Sequence, residues 1–278
     1  MERELWNALE ACLRSVPIRR PARAQHTDHA IVRVILWAAL HDRPIAWACQ
    51  RSSWPTRCDA IPDASTVSRR SRTLGVRKLL RSLVPRGRVE RGRSVLCIDG
   101  KALTVNRFSK DHHARFGHAD GGMRRGYKLH AICDRHGNIR AFDVRGLNEA
   151  ECRVARKLIT RTAAPGVVVL GDASYDANAL YARAASHGAR FLAPRRKAQR
   201  SISTGHDQHA DRVRAIAQME GDERKRRQAS RLRSTIERAF GWLTMLGGGT
   251  PPPWARTLPR VRRWVMAKLA ILHAANRT

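Results

Sequence analysis

The sequence predicts an α/β protein: a mixed five-stranded sheet with flanking helices, preceded by a helical region. Three observations predict it. Two runs, SVLCID (residues 94–99) and VVVLGDAS (167–174), are continuously apolar before they turn polar, as strands covered on both faces are. Between them YKLHAICD (127–134) and IRAFDV (139–144) alternate apolar and polar residues around the D-R-H-G-N turn, which reads as a β-hairpin. Ahead of residue 94 the apolar residues instead recur at helical spacing.

The elements follow in order. Asp28 is placed to cap a helix over 29–40, whose apolar face carries Ile31, Val34, Ile35 and Ala38. A short segment from 44 to 49 opens on Pro44 at a first helical position. In IPDASTVSRRSRTLG, Asp63 or Ser65 caps a third helix and Gly75 ends it. That helix presents Ser65, Thr66, Ser68, Arg69, Arg70 and Arg72. Two helices and then a short basic one fit a helix-turn-helix-like arrangement, whose last helix enters the major groove. An ordinary bundle with a solvated arginine face fits equally well. PRGRVERGR (85–93) reads as a Gly/Arg linker, so a helical DNA-binding region with its linker is expected over 1–93 and a separate α/β domain over 94–278.

Beyond strand 94–99, residues 101–125 form a polar excursion before the hairpin. Asn148 with Glu151 gives a capping-box-like start to a helix running to about Thr162, with Val154, Leu158 and Ile159 on its apolar face. After strand 167–174, Asp176 is placed to cap a helix ending at Gly188, and ARFLAP (189–194) is the fifth strand. Residues 195–230 are charged with few apolar anchors. A helix is expected over 231–246, and after GGGTPPP a last amphipathic helix runs through Val261, Val265 and Leu269.

The chain has 54 Lys+Arg against 23 Asp+Glu, a formal charge of +31 over 278 residues. Such an excess repels itself unless a polyanion is present, and the usual one is nucleic acid. Codon bias in a GC-rich genome accounts for arginine over lysine but not for the shortage of carboxylates. At 42% hydrophobic residues a core can form, which excludes wholesale disorder. No run approaches the ~20 apolar residues of a membrane span, and the N-terminus lacks an apolar signal core. A soluble, cytoplasmic protein with no membrane partner is expected. Six cysteines without a C-x-x-C pair read as reduced core residues. The pairs His26/His29 and His206/His209 lack the companions of a zinc site.

Strand, hairpin, helix, strand, helix, strand is the order of the ribonuclease H-like fold, in which the first and fourth strands are parallel neighbours. Here each of those strands leads to an aspartate, Asp99 in C-I-D-G-K and Asp172 in L-G-D-A-S. Carboxyl ends of neighbouring parallel strands face one crevice, the usual site in open α/β sheets. Two carboxylates meeting there repel, and a divalent cation relieves that. Glu237 is the third candidate ligand, beside the stripe Ile236, Phe240 and Leu243 and one turn after Arg233. Alone, Arg233 and Glu237 would be an i,i+4 surface pair contributing about 0.3–0.5 kcal/mol. Together the three acids suit two-metal phosphoryl transfer, with Mg²⁺ ions about 3.5–4 Å apart.

At I-D-G-K, SKDHHARFGHADGGMRRGYKLHAICDRHGN, GDASYDA and RSTIERAFGWL the chain resembles the DDE transposases of bacterial insertion sequences, in the group with an uninterrupted ribonuclease H-like domain. PDASTVSRRSR is also similar to the stretch preceding their catalytic domain. The resemblance implies that Asp99, Asp172 and Glu237 are the DDE triad, both catalytic and metal-binding. It implies two Mg²⁺ ions (Mn²⁺ substituting), terminal inverted repeats and target DNA as double-stranded partners, a homo-oligomeric synaptic complex and cut-and-paste transposition. Ser230 and Thr244 stand where relatives often carry Tyr and Lys on the Glu helix. Tyr127 and Lys128 begin the strand beside Asp99; Lys128 is placed to hold a scissile phosphate or simply to face solvent. Arg233, Lys128, Arg69, Arg70, Arg72, Ser65 and Thr66 are the DNA-binding candidates, with Lys101 and Asp111 as weaker ones. Asp134 reads as a turn residue, and Trp242 and Trp264 as core. The alternative function is a catalytically decayed or repurposed transposase that only binds DNA; a structure-specific nuclease without strand transfer is a third.

Overall fold

The computed structural model describes residues 2–18, 22, 24–55, 60–84, 94–196 and 208–276. The linker expected over 86–93, Cys58 and His206 lie outside the described residues. In chain order the helices are α1 (Glu2–Arg14), α2 (Asp28–Leu40), α3 (Ile45–Ala48), α4 (Ala64–Arg70) and α5 (Leu74–Ser82). The strands β1 (Val95–Thr104), β2 (Arg115–Ala119), β3 (Gly122–Asp134) and β4 (Ile139–Gly146) come next, then α6 (Glu151–Thr162). They are followed by β5 (Val168–Leu170), α7 (Asn178–Ala185), β6 (Arg190–Leu192), α8 (Ala210–Gly221), α9 (Glu223–Leu243) and α10 (Leu258–Ala275). The chain divides into two compact units, Met1–Pro85 with Trp242–Thr278, and Arg86–Gly241.

In the first unit α2 is the central helix. It packs against α1, α3, α4, α5 and α10, so it is buried on every side rather than along one stripe. Its Trp37 stacks on Trp54 with centroids 4.9 Å apart, and Trp6 meets it edge-on at 4.8 Å. Thr27, not Asp28, caps α2, its hydroxyl accepting from the Ala30 amide. Asp28 is instead buried one residue further on and ion-paired with Arg70 of α4. Asp63 caps α4 by accepting from the Thr66 amide, as expected. Gly75 does not end that helix. It lies in the first turn of α5, where a Cβ would run into the Asp28 carboxylate. α10, grouped with residues 94–278 on sequence order, packs against α1, α2 and α5. Its Lys268 is fully buried and donates to Asp42 Oδ2 (2.9 Å) and the Leu246 carbonyl (2.7 Å). Trp264 is core as expected, but Trp242 is exposed.

The second unit is the ribonuclease H-like sheet with its helices, in the order β2-β3-β1-β5-β6 with β4 also paired to β3. β1 is antiparallel to β3 and parallel to β5, and β5 is parallel to β6. Gly126 pairs with both Thr104 and Arg115, and Tyr127 with both Leu103 and Gly146. β2 and β4 therefore lie end to end along the edge of β3 that β1 leaves open. The sheet thus has six strands against the five expected. The extra one, β2, forms in the polar excursion because Asp120 and Gly121 both take positive φ, the tight hairpin turn that an Asp-Gly pair favours. α6 packs on β3 and β4, and α7 and α8 pack on β6. α8 and the start of α9 occupy much of the charged stretch, α8 anchored by Ala215, Ile216 and Met219.

Candidate active site

The parallel pairing of β1 with β5 ends at Cys97 opposite Leu170. Two residues further along each chain stand Asp99 and Asp172. β1 runs on to Thr104 because its antiparallel partner β3 continues, so Asp99 is mid-strand but at the open end of the parallel pair. Its carboxylate accepts from the Gly100 amide at 2.7 Å. Asp172 follows β5 directly and caps a single 3₁₀ turn, Ala173–Tyr175. Its Oδ1 accepts from the Ser174 amide at 2.8 Å and lies 2.5 Å from Ser174 Oγ.

These acids feel one another's charge. Burial pushes the Asp99 carboxyl up to about 6; the negative charges of Asp172 and Glu151 add to that, while the Gly100 amide and Arg233 oppose it. Tyr175, fully buried, is held far above the usual phenol range by burial and then by Glu151, Asp99 and Asp172. Its hydroxyl has no hydrogen-bond partner among the described residues. Two repelling, partly desolvated carboxylates offering hard oxygen donors suit Mg²⁺ or Mn²⁺, and Asp99 and Asp172 fit such an ion on that chemistry.

Glu151 joins this cluster, although its place in the sequence points to a local role. Its spacing from Asn148 made it a capping-box partner, yet Ala150 occupies the cap of α6 without a side-chain bond. The Glu151 carboxylate turns to the sheet instead. Oε1 accepts from Lys128 Nζ at 2.7 Å and Oε2 from Ser174 Oγ at 2.7 Å. A Cβ on Gly100 would lie 3.1 Å from Lys128 Cδ and 3.2 Å from Glu151 Oε1, so the glycine lets this pair lie close to β1. Asp176, expected as a helix cap, likewise has another use: Arg212 donates to both its oxygens at 2.7 Å.

Glu237 lies on α9 with its side chain half exposed, and Arg233 one turn earlier donates to its Oε1 at 2.7 Å. Arg233 also reaches the field of Asp99. Cys97 Sγ contacts the Leu232 carbonyl at 3.1 Å, which sets α9 against β1. The structure therefore brings Asp99, Asp172 and Arg233 together, with Glu237 next along the helix and held by Arg233. Among the described residues no three His, Cys, Asp or Glu side chains stand close enough to hold a metal ion. Beside Asp172 a cavity of about 380 Å³ is lined by Arg226, Arg227, Ser230 and Arg233 of α9 together with Leu192, Pro194 and Met219.

Several weaker candidates are settled by burial. Asp111 is buried, accepting from Tyr127 Oη at 2.7 Å, so both residues brace the strand rather than face DNA. Asp134 accepts from the amides of His136 and Asn138, the turn role expected of it. Lys101 is half-buried, and burial draws its ammonium down. In the first unit Ser65, Arg69 and Arg72 are exposed and Thr66 is half-buried. Arg70 is not with them: its guanidinium is buried, donating to the His26 carbonyl and Asp28. A second basic group gathers where α10 meets α5. Burial and then the charges of Arg260, Arg72 and Arg77 draw the Arg263 guanidinium down to about 10.

Among the described residues no helix is long and apolar enough to cross a membrane. A family model described as a transposase DDE domain matches residues 90–272. No curated protein and no solved structure matches the chain.

Proposed function

Because the chain belongs to the family of transposases with a DDE domain, we propose that it binds the terminal inverted repeats of an insertion sequence and moves that element by cut-and-paste strand cleavage and strand transfer. The observation that carries this reading is the placing of Asp99 and Asp172 side by side at the open end of two parallel strands. Asp99 and Asp172 would hold the divalent ions, with Glu237 completing the set once released from Arg233. Two Mg²⁺ ions, or Mn²⁺ in their place, would supply activation of the attacking water or hydroxyl and charge stabilisation at the departing oxygen. The chain's own residues supply placement. Arg226, Arg227 and Arg233 line the cavity beside Asp172 and would grip the phosphates flanking the scissile bond. Lys128, held by Glu151, offers a further cation at the same strands.

The division of labour follows the two units. The helical region would read the terminal repeat with Ser65, Thr66, Arg69 and Arg72, while the sheet unit cuts. The arginine group on α5 and α10 supports DNA binding by that unit, since like charges this close need a polyanion. Two element ends handled together call for a homo-oligomer, and the work is done in the bacterial cytoplasm at the nucleoid.

The test is end cleavage on a duplex carrying the element's own terminal repeat, with Mg²⁺ or Mn²⁺. The wild-type chain is expected to release 3′ hydroxyls and join them to target DNA, and Asp99→Ala and Asp172→Ala to do neither. Cleavage surviving in both variants would sink the catalytic assignment. The second reading, a decayed transposase that only binds DNA, is favoured by the Arg233–Glu237 ion pair and by Ser230 and Thr244. It predicts DNA binding without carboxylate-dependent uptake of Mn²⁺ in a calorimetric titration.

A further inference from the structure

Three close polar contacts run in a line across the sheet unit: Lys128 Nζ to Glu151 Oε1, Ser174 Oγ to Glu151 Oε2, and Ser174 Oγ to Asp172 Oδ1, at 2.7, 2.7 and 2.5 Å. They join residues from β3, the first turn of α6 and the turn after β5. Ser174 Oγ has one proton and gives it to one carboxylate at a time; with that proton on Glu151, the Ser174 amide still donates to Asp172 Oδ1 at 2.8 Å, so Ser174 joins the two acids through two different hydrogens. The Lys128 ammonium, largely buried beside Glu151, offsets the charge of the bridging carboxylate. Below the line, Tyr175 is fully buried with its hydroxyl unpartnered, under the influence of Glu151, Asp99 and Asp172 together.

We propose that Glu151 is a positioning residue of this active site: through Ser174 it fixes the orientation of the Asp172 carboxylate, and through its other oxygen it holds Lys128 beside the same strands. The proposal rests on the reading of Asp99 and Asp172 as the acids that hold the divalent ions. Glu151 touches neither DNA nor the reacting phosphate in this role. It restricts Asp172 to one rotamer before the ion arrives, so less ordering remains when the ion binds. Sequence position alone hides it, because a glutamate three residues after an asparagine at a helix start already has an explanation.

The experiment is a calorimetric titration of Mn²⁺ alone into the full-length chain, wild-type and substituted, with far-ultraviolet circular dichroism on each. Wild-type binding that is lost in Asp172→Asn marks the parent reading as sound. Glu151→Ala and Ser174→Ala are each then expected to weaken Mn²⁺ binding about tenfold or more, the usual effect of removing a group that orients a metal ligand. Glu151→Gln keeps a carbonyl oxygen for Ser174 and should recover part of the loss. Ser174→Ala removes only a hydroxyl, so it serves if Glu151→Ala fails to fold. Wild-type Mn²⁺ affinity in folded Ser174→Ala and in either folded Glu151 variant overturns the positioning role while leaving the transposase reading intact. Absence of Mn²⁺ binding by the wild-type chain overturns both.

Discussion

Asp99 and Asp172 each stand two residues beyond the last parallel pair of β1 and β5, Cys97 and Leu170. Burial and the neighbouring charge raise the Asp99 carboxyl to about 6, against about 3.9 for an unfolded chain. The neutral form is therefore the one that folding favours. Its contribution is complete below about pH 4 and is lost as the pH rises through 6. In EDTA, Asp99→Asn should melt above wild type at pH 8, with the gap closing toward pH 4. A variant that melts lower at pH 8 refutes the burial argument. Mn²⁺ affinity should fall as the pH drops below about 6, where protons compete for the same oxygens.

Arg70 should prove a stability residue rather than a DNA contact. Its removal leaves the Asp28 carboxylate buried and unpaired, a loss of about 3–5 kcal/mol. Arg69→Ala, on the exposed face of the same helix, should change stability by no more than about 0.5 kcal/mol. Urea denaturation of the two variants separates them, and equal midpoints would contradict the buried pair.

Gly75→Ala tests the close approach of α5 to that same carboxylate. The added methyl has no room beside Asp28 Oδ2, so the variant should lose about 1–3 kcal/mol although alanine is the better helix former. A gain in melting temperature would mean that the two elements are further apart.

The arginines on α5 and α10 should act through phosphates. Arg77→Ala and Arg260→Ala are each expected to weaken binding to duplexes of any sequence and to lower the slope of log affinity against log salt by about 1. Fluorescence anisotropy at several salt concentrations reads this. An unchanged slope in both places the DNA elsewhere.

The sheet was legible because each strand had a local reason to be one: two apolar runs, an alternating hairpin and a short apolar tail. β2 is hard to see in the sequence although Asp120-Gly121 is a hairpin signal, because its five residues, Arg115 to Ala119, are mostly exposed and show no apolar alternation. Asp99 and Asp172 could be found from strand ends alone. Glu151, Asp176 and Asp28 could not, for one shared reason. Each sits at or just before a helix start, where a local capping role explains an acid fully, and each is taken instead by a basic or hydroxyl partner 23 or more residues away: Lys128 and Ser174, Arg212, and Arg70. Trp242 misled in the opposite sense, since an apolar position on a helix does not reveal whether anything covers it.

The gathering of Arg72, Arg77, Arg260 and Arg263 sets two effects of ionic strength against each other. Dissolved ions quiet the mutual repulsion and so toughen the empty helical unit against heat. If this unit grips DNA as proposed, the same ions loosen that hold. Dilute buffer would then give the tightest grip from the most fragile protein, and brine a sturdy one that lets go. Short polyanions such as heparin would escape the trade-off, giving both firmness and occupancy at once.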